Sequence, residues 1–314
     1  MSDFFKKPDI FLIINVAAIT PNASEGRSLS SQIWTTAKTW LIVLPFFAFA
    51  FMFLVLPALS IAVGSFQDND TGAFTIANIL ELRRPSILSA YSVSIRISLI
   101  TALMGGVFGF LMAYSITLGN LPSWIRSALL TFSGVASNFA GVPLAFAFVA
   151  TFGRLGVVTV LLKIVGIDLY DAGFSLYTFV GLCITYLYFQ LPLMILVITP
   201  SLDGMKKQWR EACESLGGSA WHFWRHIAFP ILVPPLLGAM VLLFGNAFGA
   251  YATAYALTSG QINLVTMVIG QQISGDALHN PALGNALALG MVIVMVTSVA
   301  IYTLLMRRSA KWLR

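Results

Sequence analysis

Six stretches of this chain are too long and too apolar for a water-soluble core: near Trp40–Val63, Tyr91–Leu118, Ser127–Phe152, Leu176–Thr199, Ile231–Leu257 and Leu283–Met306. Each exceeds the roughly 20 residues that a helix needs to cross the hydrocarbon of a bilayer. An amide or carbonyl has no water to turn to there, so each stretch must close its backbone hydrogen bonds within itself, as a helix. The expected fold is therefore all-α and integral to a membrane, with six transmembrane helices over residues 40–306. Composition agrees, since only 10% of the 314 residues are charged where soluble domains carry roughly 25%. Ile10–Ile19 is apolar too, but it is short and Asn15 interrupts it. It follows Lys6 and Lys7 with no A-x-A cleavage site behind it, and is read as part of an N-terminal extension, residues 1–39.

The net charge of +6 would point to nucleic acid in a soluble protein. Here its distribution matters more. Thirteen of the 18 basic residues, among them Lys6, Lys7, Arg126, Lys206, Lys207, Arg210, Arg225, Arg307 and Arg308, fall in one set of loops; Arg83, Arg84, Arg154 and Lys163 fall in the other. By the positive-inside rule the first set is cytoplasmic. Both termini, the 307–314 basic tail and the loop at 200–230 then lie inside, and no nucleic-acid partner is implied. The outer loops, 64–90, 153–175 and 258–282, contain the polar turn Gln67–Gly72 and two apolar pieces too short to cross, Val157–Val165 and Leu264–Ile273.

The inner loop is amphipathic. Met205, Trp209, Cys213 and Leu216 recur at helical spacing, with Lys206, Lys207, Arg210, Glu211 and Glu214 on other faces. Asp203 is the expected N-cap, Gly217-Gly218 the stop, and Ser219 the cap of a second short helix, Ala220–His226, before Pro230 opens the fifth span. Periodicity alone describes equally well a helix resting on the bilayer surface, anchored by Trp221 and Trp224.

The loop also carries Glu211-Ala212-Cys213, three residues, Gly217, nine residues, then Ile227-Ala228-Phe229-Pro230. This resembles, in register, the EAA loop of type I (MetI-like) ABC-importer permeases, with Cys213 for the second Ala and Phe229 for Leu. The resemblance implies a six-helix permease subunit of a bacterial inner (cell) membrane, coupled through Glu211, Ala212, Cys213, Leu216, Gly217, Ile227 and Pro230. It also implies two ATP-binding subunits, a second and different permease, and a periplasmic or lipid-anchored solute-binding protein. ATP and Mg would belong to the partner ATPase; this chain has no GxxxxGK[S/T] and is expected to bind no cofactor and catalyse nothing. Phe248–Thr253 and Asn280–Gly284 look most like the spermidine/putrescine group, with 2-aminoethylphosphonate and ferric-iron permeases as relatives. A stand-alone secondary transporter or channel is the reading from another class.

Within the spans, Asn138, Tyr186, Gln190, Asn246 and Tyr251 are the candidate translocation-path residues, since polar groups in hydrocarbon are costly. Hydrogen bonding between helices fits their positions equally, at about 0.6 kcal/mol on average in one measured system. No Asp or Glu falls inside a span, which argues against a proton-coupled carrier and against a tight polycation site in this subunit. Arg96, near an outer end, can snorkel. Gly105/Gly109 and Gly245/Gly249 have small-xxx-small spacing, suited to close helix packing within the subunit or between subunits. His222 and His226 lie four apart but have no cluster of further ligands around them, so no metal site is expected, and Cys183 and Cys213 imply no disulfide.

Overall fold

The computed structural model describes residues 43–69, 71–119, 121–274 and 279–310; the expected 1–39 extension and the end of the basic tail lie outside them. Six helical stretches are long and apolar enough to cross a membrane, and the protein is a multi-pass, all-helical membrane protein. Two compact units divide the chain, Met1–Ser60 and Ile61–Arg314. In the first, the described residues are helical, part of α1 (Val43–Gly64). One turn of α1, Phe51–Val55, is widened so that the Leu56 amide reaches back five residues to Phe51. Pro57 follows at once. Its ring crowds the carbonyl four residues back, and the extra residue in the turn relieves that clash.

The second unit begins outside the expected second span with a short turn. Gln67 bridges antiparallel to Phe74 and the Asp68 carboxylate accepts from the Thr71 amide and hydroxyl. Helix α2 (Ala77–Glu81) follows. The second span, α3, runs Pro85–Leu118, six residues earlier than its apolar run suggests, because Pro85 suits the first turn of a helix. Its 34 residues measure about 51 Å, against a hydrocarbon core of about 30 Å. That excess length places Arg96, which is exposed, toward the outer boundary.

The third expected span is divided. Helix α4 (Ser123–Asn138) stops, and α5 (Val142–Phe152) starts after Gly141, whose φ of 77° and ψ of −150° belong to a region open essentially to glycine. Pro143, with no amide proton, would break a continuous helix here in any case. A further piece, α6 (Val157–Ile164), extends the apolar run beyond a turn, and Val142–Ile164 taken together has span length. The fourth span is α7 (Phe179–Asp203). The fifth, α9, runs from Ala220 to Phe248 and then breaks, so the expected Ile231–Leu257 helix resolves into the end of α9 and α10 (Ala252–Thr258). The outer-loop piece α11 (Val265–Ser274) leads to the last span, α12 (Pro281–Ala310).

At the centre α3 packs along α7, with α4 and α9 against them and α12 beyond α9. Lipid tails are as apolar as the side chains, so close packing rather than exclusion of water favours this association. The buried face of α3 is accordingly small: Ser94, Ser98, Ala102, Gly105, Gly106, Gly109 and Ala113. A methyl carbon at Gly109 would come 2.6 Å from Met194 Cβ, and one at Gly105 would come 2.9 Å from Gln190 Cβ. The Gly105/Gly109 pair therefore serves packing inside the subunit. The hydroxyls of Ser98, Thr101 and Thr185 turn back onto carbonyls of their own helices, so these three donors are paired within the seam.

Gly109→Leu should lower thermal stability in detergent by about 1–3 kcal/mol through overpacking. Gly134→Leu, where nothing lies within 4 Å, should leave it within about 0.5 kcal/mol. Fluorescence-monitored melts of the two purified variants distinguish the cases; equal melting points would refute the packing role.

Candidate functional site

Two regions concentrate the residues singled out by sequence. The first is the hairpin between α7 and α9. Asp203, expected as a cap, instead ends α7, and both its carboxylate oxygens accept from the Arg126 guanidinium at 2.6 and 2.7 Å. This is a correction with a plain cause: α8 is capped at Lys206, three residues further along, so the Asp203 carboxylate pairs instead with Arg126 at the start of α4. Lys206, extended and without a capping side chain, precedes α8 (Lys207–Ser215).

Glycine ends α8 for two different reasons. The Gly217 amide donates to Glu214 and the Gly218 amide to Cys213, at 3.0 and 2.8 Å, the paired closure that requires a left-handed residue at the first position. Gly217 supplies it, with φ 77° and open space around it. Gly218 is constrained by room, since a Cβ there would stand 2.6 Å from Cys213 Sγ. Ser219 Oγ then accepts from the His222 amide and starts α9. The expected separate helix Ala220–His226 is the first part of α9, continuous with the span through a second widened turn, Trp224–Ala228, again just before a proline, Pro230.

Ala212, Cys213, Leu216 and Ile227 share one groove of about 590 Å³, with Trp209 and His222 at its edges. Leu216 is 89% exposed. Glu211 is exposed on α8, and Glu214, 2.8 Å from Arg210 Nε, raises the pKa of that guanidinium further. The hairpin thus projects an apolar groove flanked by ordered charge. A fold buries such a groove against a partner more readily than it leaves it in water.

The second region lies where the two broken spans meet. Ser137, Gly141, Asn246, Gly249, Tyr251 and Thr253 line a cavity of about 510 Å³. Side chains from neighbouring helices satisfy the breaks: the Gly141 amide donates to Thr253 Oγ1 at 2.7 Å, and the Tyr186 hydroxyl of α7 donates to the Ala250 carbonyl at 2.9 Å. Of the five path candidates, Asn246 and Tyr251 are on the wall. Tyr186 and Gln190 are buried behind it, Gln190 donating to the Leu243 carbonyl at 2.9 Å, so both make the helix-to-helix bonds that sequence held as the other reading. Asn138 is exposed at the end of α4 and bonds back to Gly134. Sequence reasoning passed over Gly141 and Thr253, although Gly141-Val142-Pro143 signals a break.

A family model described as "Binding-protein-dependent transport system inner membrane component" matches residues 105–314. The chain belongs to this family. The matched stretch contains both the hairpin and the cavity. Among its relatives is a probable sulfate transport system permease protein, cysT, of Prototheca wickerhamii, 28% identical over 69% of this chain and 82% of that protein. Another is the thiamine transport system permease protein ThiP of Salmonella typhimurium, 28% identical over 59% of this chain and 33% of that protein. The fold matches a bacterial ABC transporter involved in import of the acidic polysaccharide alginate, with TM-score 0.68 and 17% identity over 88% of this chain and 99% of that one. It matches the same kind of transporter in complex with an alginate pentasaccharide-bound periplasmic protein, with TM-score 0.69 and 16% identity over 89% and 97% of the two chains. The protein is a permease subunit of a binding-protein-dependent ABC importer.

Thr253→Val in this permease should cost about 1–3 kcal/mol, because it strands the buried Gly141 amide, while Thr253→Ser should restore most of the loss. Thermal melts read the difference. Identical melts for Val and wild type would mean that the two breaks do not depend on this bond.

Proposed function

We propose that the 200–230 hairpin is the surface through which separate ATP-binding subunits drive this permease, and that the cavity between the broken spans is its share of the solute path. The observation that carries the coupling reading is the groove itself. Ala212, Cys213, Leu216 and Ile227, four of the seven coupling residues that the EAA resemblance implies, converge on one projecting apolar surface. Gly217 shapes its turn, Pro230 follows the widened turn beneath it, and Glu211 offers a charge beside it. ATP and Mg chemistry would reside in the partner, and this chain would transmit its closure. Basic-residue distribution supports an inner-membrane orientation with the hairpin and both termini cytoplasmic. A second, different permease, two ATPases and an external solute-binding protein complete the proposed assembly.

For the solute, the cavity wall carries neutral hydrogen-bonding groups, Ser137, Asn246 and Thr253, and no carboxylate. The α5 N-terminus follows Gly141 on this wall, and the partial positive charge of a helix N-terminus favours anions. A small oxyanion, as in the sulfate permease relatives, is the reading that this chemistry supports best. A cationic solute, polyamine or thiamine, is the second reading. The resemblance of Phe248–Thr253 and Asn280–Gly284 to polyamine permeases favours it, as do the stacked Tyr251 and Tyr255 rings, 5.4 Å apart, whose faces attract cations.

Co-purification of the full chain with its co-expressed ATPase and partner permease tests the coupling reading. Glu211→Lys and Gly217→Pro should each reduce bound ATPase, or solute-stimulated ATP hydrolysis, about tenfold with membrane insertion unchanged; undiminished stimulated hydrolysis in both would overturn the reading. Stimulation by a sulfate-loaded rather than a spermidine- or thiamine-loaded binding protein would separate the solute classes.

A further inference from the structure

A second cavity, of about 490 Å³, lies away from the hairpin and the solute path, between α3, α9 and α12. Leu99 and Leu103 form one wall, Met240 and Phe244 another, and α12 from Ile293 to Leu305 the third. Two of the three hydroxyls on these walls are already spent. Thr297 and Ser298 return their hydroxyls to the Ile293 and Val294 carbonyls at 2.7 and 2.9 Å, and a Cβ at Gly238 would touch the Tyr302 hydroxyl at 3.1 Å. Nothing here selects a polar solute.

The dimensions select among apolar ones. Ile293 to Leu305 is twelve helical steps, about 18 Å, close to the roughly 15 Å depth of one leaflet's hydrocarbon. An extended hydrocarbon chain fits. Lateral access is open, since Leu103, Ile293, Ile301 and Leu305 are all about half exposed. Two residues beyond the last lining residue stands exposed Arg307, the first of a basic run that continues with Arg308, Lys311 and Arg314. Long basic side chains at a span end reach the headgroup layer and attract anionic lipid there.

We propose that this groove holds one acyl chain of an anionic phospholipid of the inner leaflet, with its headgroup held by Arg307. The leaflet assignment rests on the orientation argued above; the groove and its contents do not depend on the coupling or solute readings.

Native mass spectrometry of the full chain with its co-expressed partners, in mild detergent, tests this with phosphatidylglycerol and phosphatidylcholine as probes. Wild type should retain one phosphatidylglycerol per permease chain and bind phosphatidylcholine about tenfold less tightly, a difference of about 1.4 kcal/mol. Ser298→Phe, which fills the middle of the groove, should lose the bound lipid. Arg307→Glu, an exposed change that leaves the groove intact, should keep a lipid but lose the headgroup preference. Undiminished phosphatidylglycerol in Ser298→Phe would overturn the site, and an unchanged preference in Arg307→Glu would overturn the headgroup assignment. A Ser298→Cys variant cross-linking to the partner permease would likewise overturn the proposal, showing a protein segment in the groove.

Discussion

Inside hydrocarbon, an unpaired backbone amide or carbonyl costs several kcal/mol, and every departure from continuous helix in this protein must answer to that cost. Two spans do depart, at residues 139–141 and 249–251, and each is met by a side chain from another helix. Thr253, just beyond one break, accepts the amide exposed by the other, while Tyr186 from the central helix α7 donates to the carbonyl at Ala250. A cavity lies beside them, as expected where irregular backbone is tolerated at membrane depth only if it is buried in protein or lines a cavity. Its wall is therefore rich in glycine, small residues and side-chain amide rather than in charge.

The same helix that ends at this cavity begins at the hairpin. Helix α9 runs from Ala220 to Phe248 without interruption, 29 residues and about 43 Å. A displacement at its hairpin end cannot be absorbed in a loop, because none intervenes. At the other side of the hairpin, α7 is held at Asp203 by Arg126. A load on α8 would thus meet one anchored helix and one continuous rod whose far end carries Asn246 on the wall of the cavity between the broken spans.

Much of this was legible in the sequence, and the exceptions have physical causes. The spans are read from length and apolarity because lipid leaves the backbone so little choice. The hairpin's first helix, glycine turn and Ser219 cap follow from local chemistry, and the structure reproduces them. Three features were not legible. The Asp203 cap failed because α8 is capped at Lys206, three residues further along, and Arg126, distant in sequence, pairs with the carboxylate instead. The breaks were hidden because hydropathy is blind to conformation: Phe139-Ala140-Gly141 and Phe248-Gly249-Ala250 are as apolar as the helices that they interrupt. Tyr186 and Gln190 were ambiguous because a hydrogen bond across helices and a cavity wall require the same residue types, and only packing assigns the face.

The widened turn at Trp224–Ala228 has a geometric consequence for α9. Its inward-facing residues are Phe223, Ala228, Leu232, Ala239 and Leu243, steps of five, four, seven and four. The last three intervals describe an ordinary helical stripe; the first is one residue too long and would rotate a regular α-helix by about 100°. The wide turn absorbs that rotation. It acts as a phase adjuster, allowing Ile227 to face the hairpin groove while the residues above it stay aligned with the bundle. The count of residues between Gly217 and Pro230 is thereby a setting of angle as well as of distance, and a chain one residue shorter would aim its groove in a different direction.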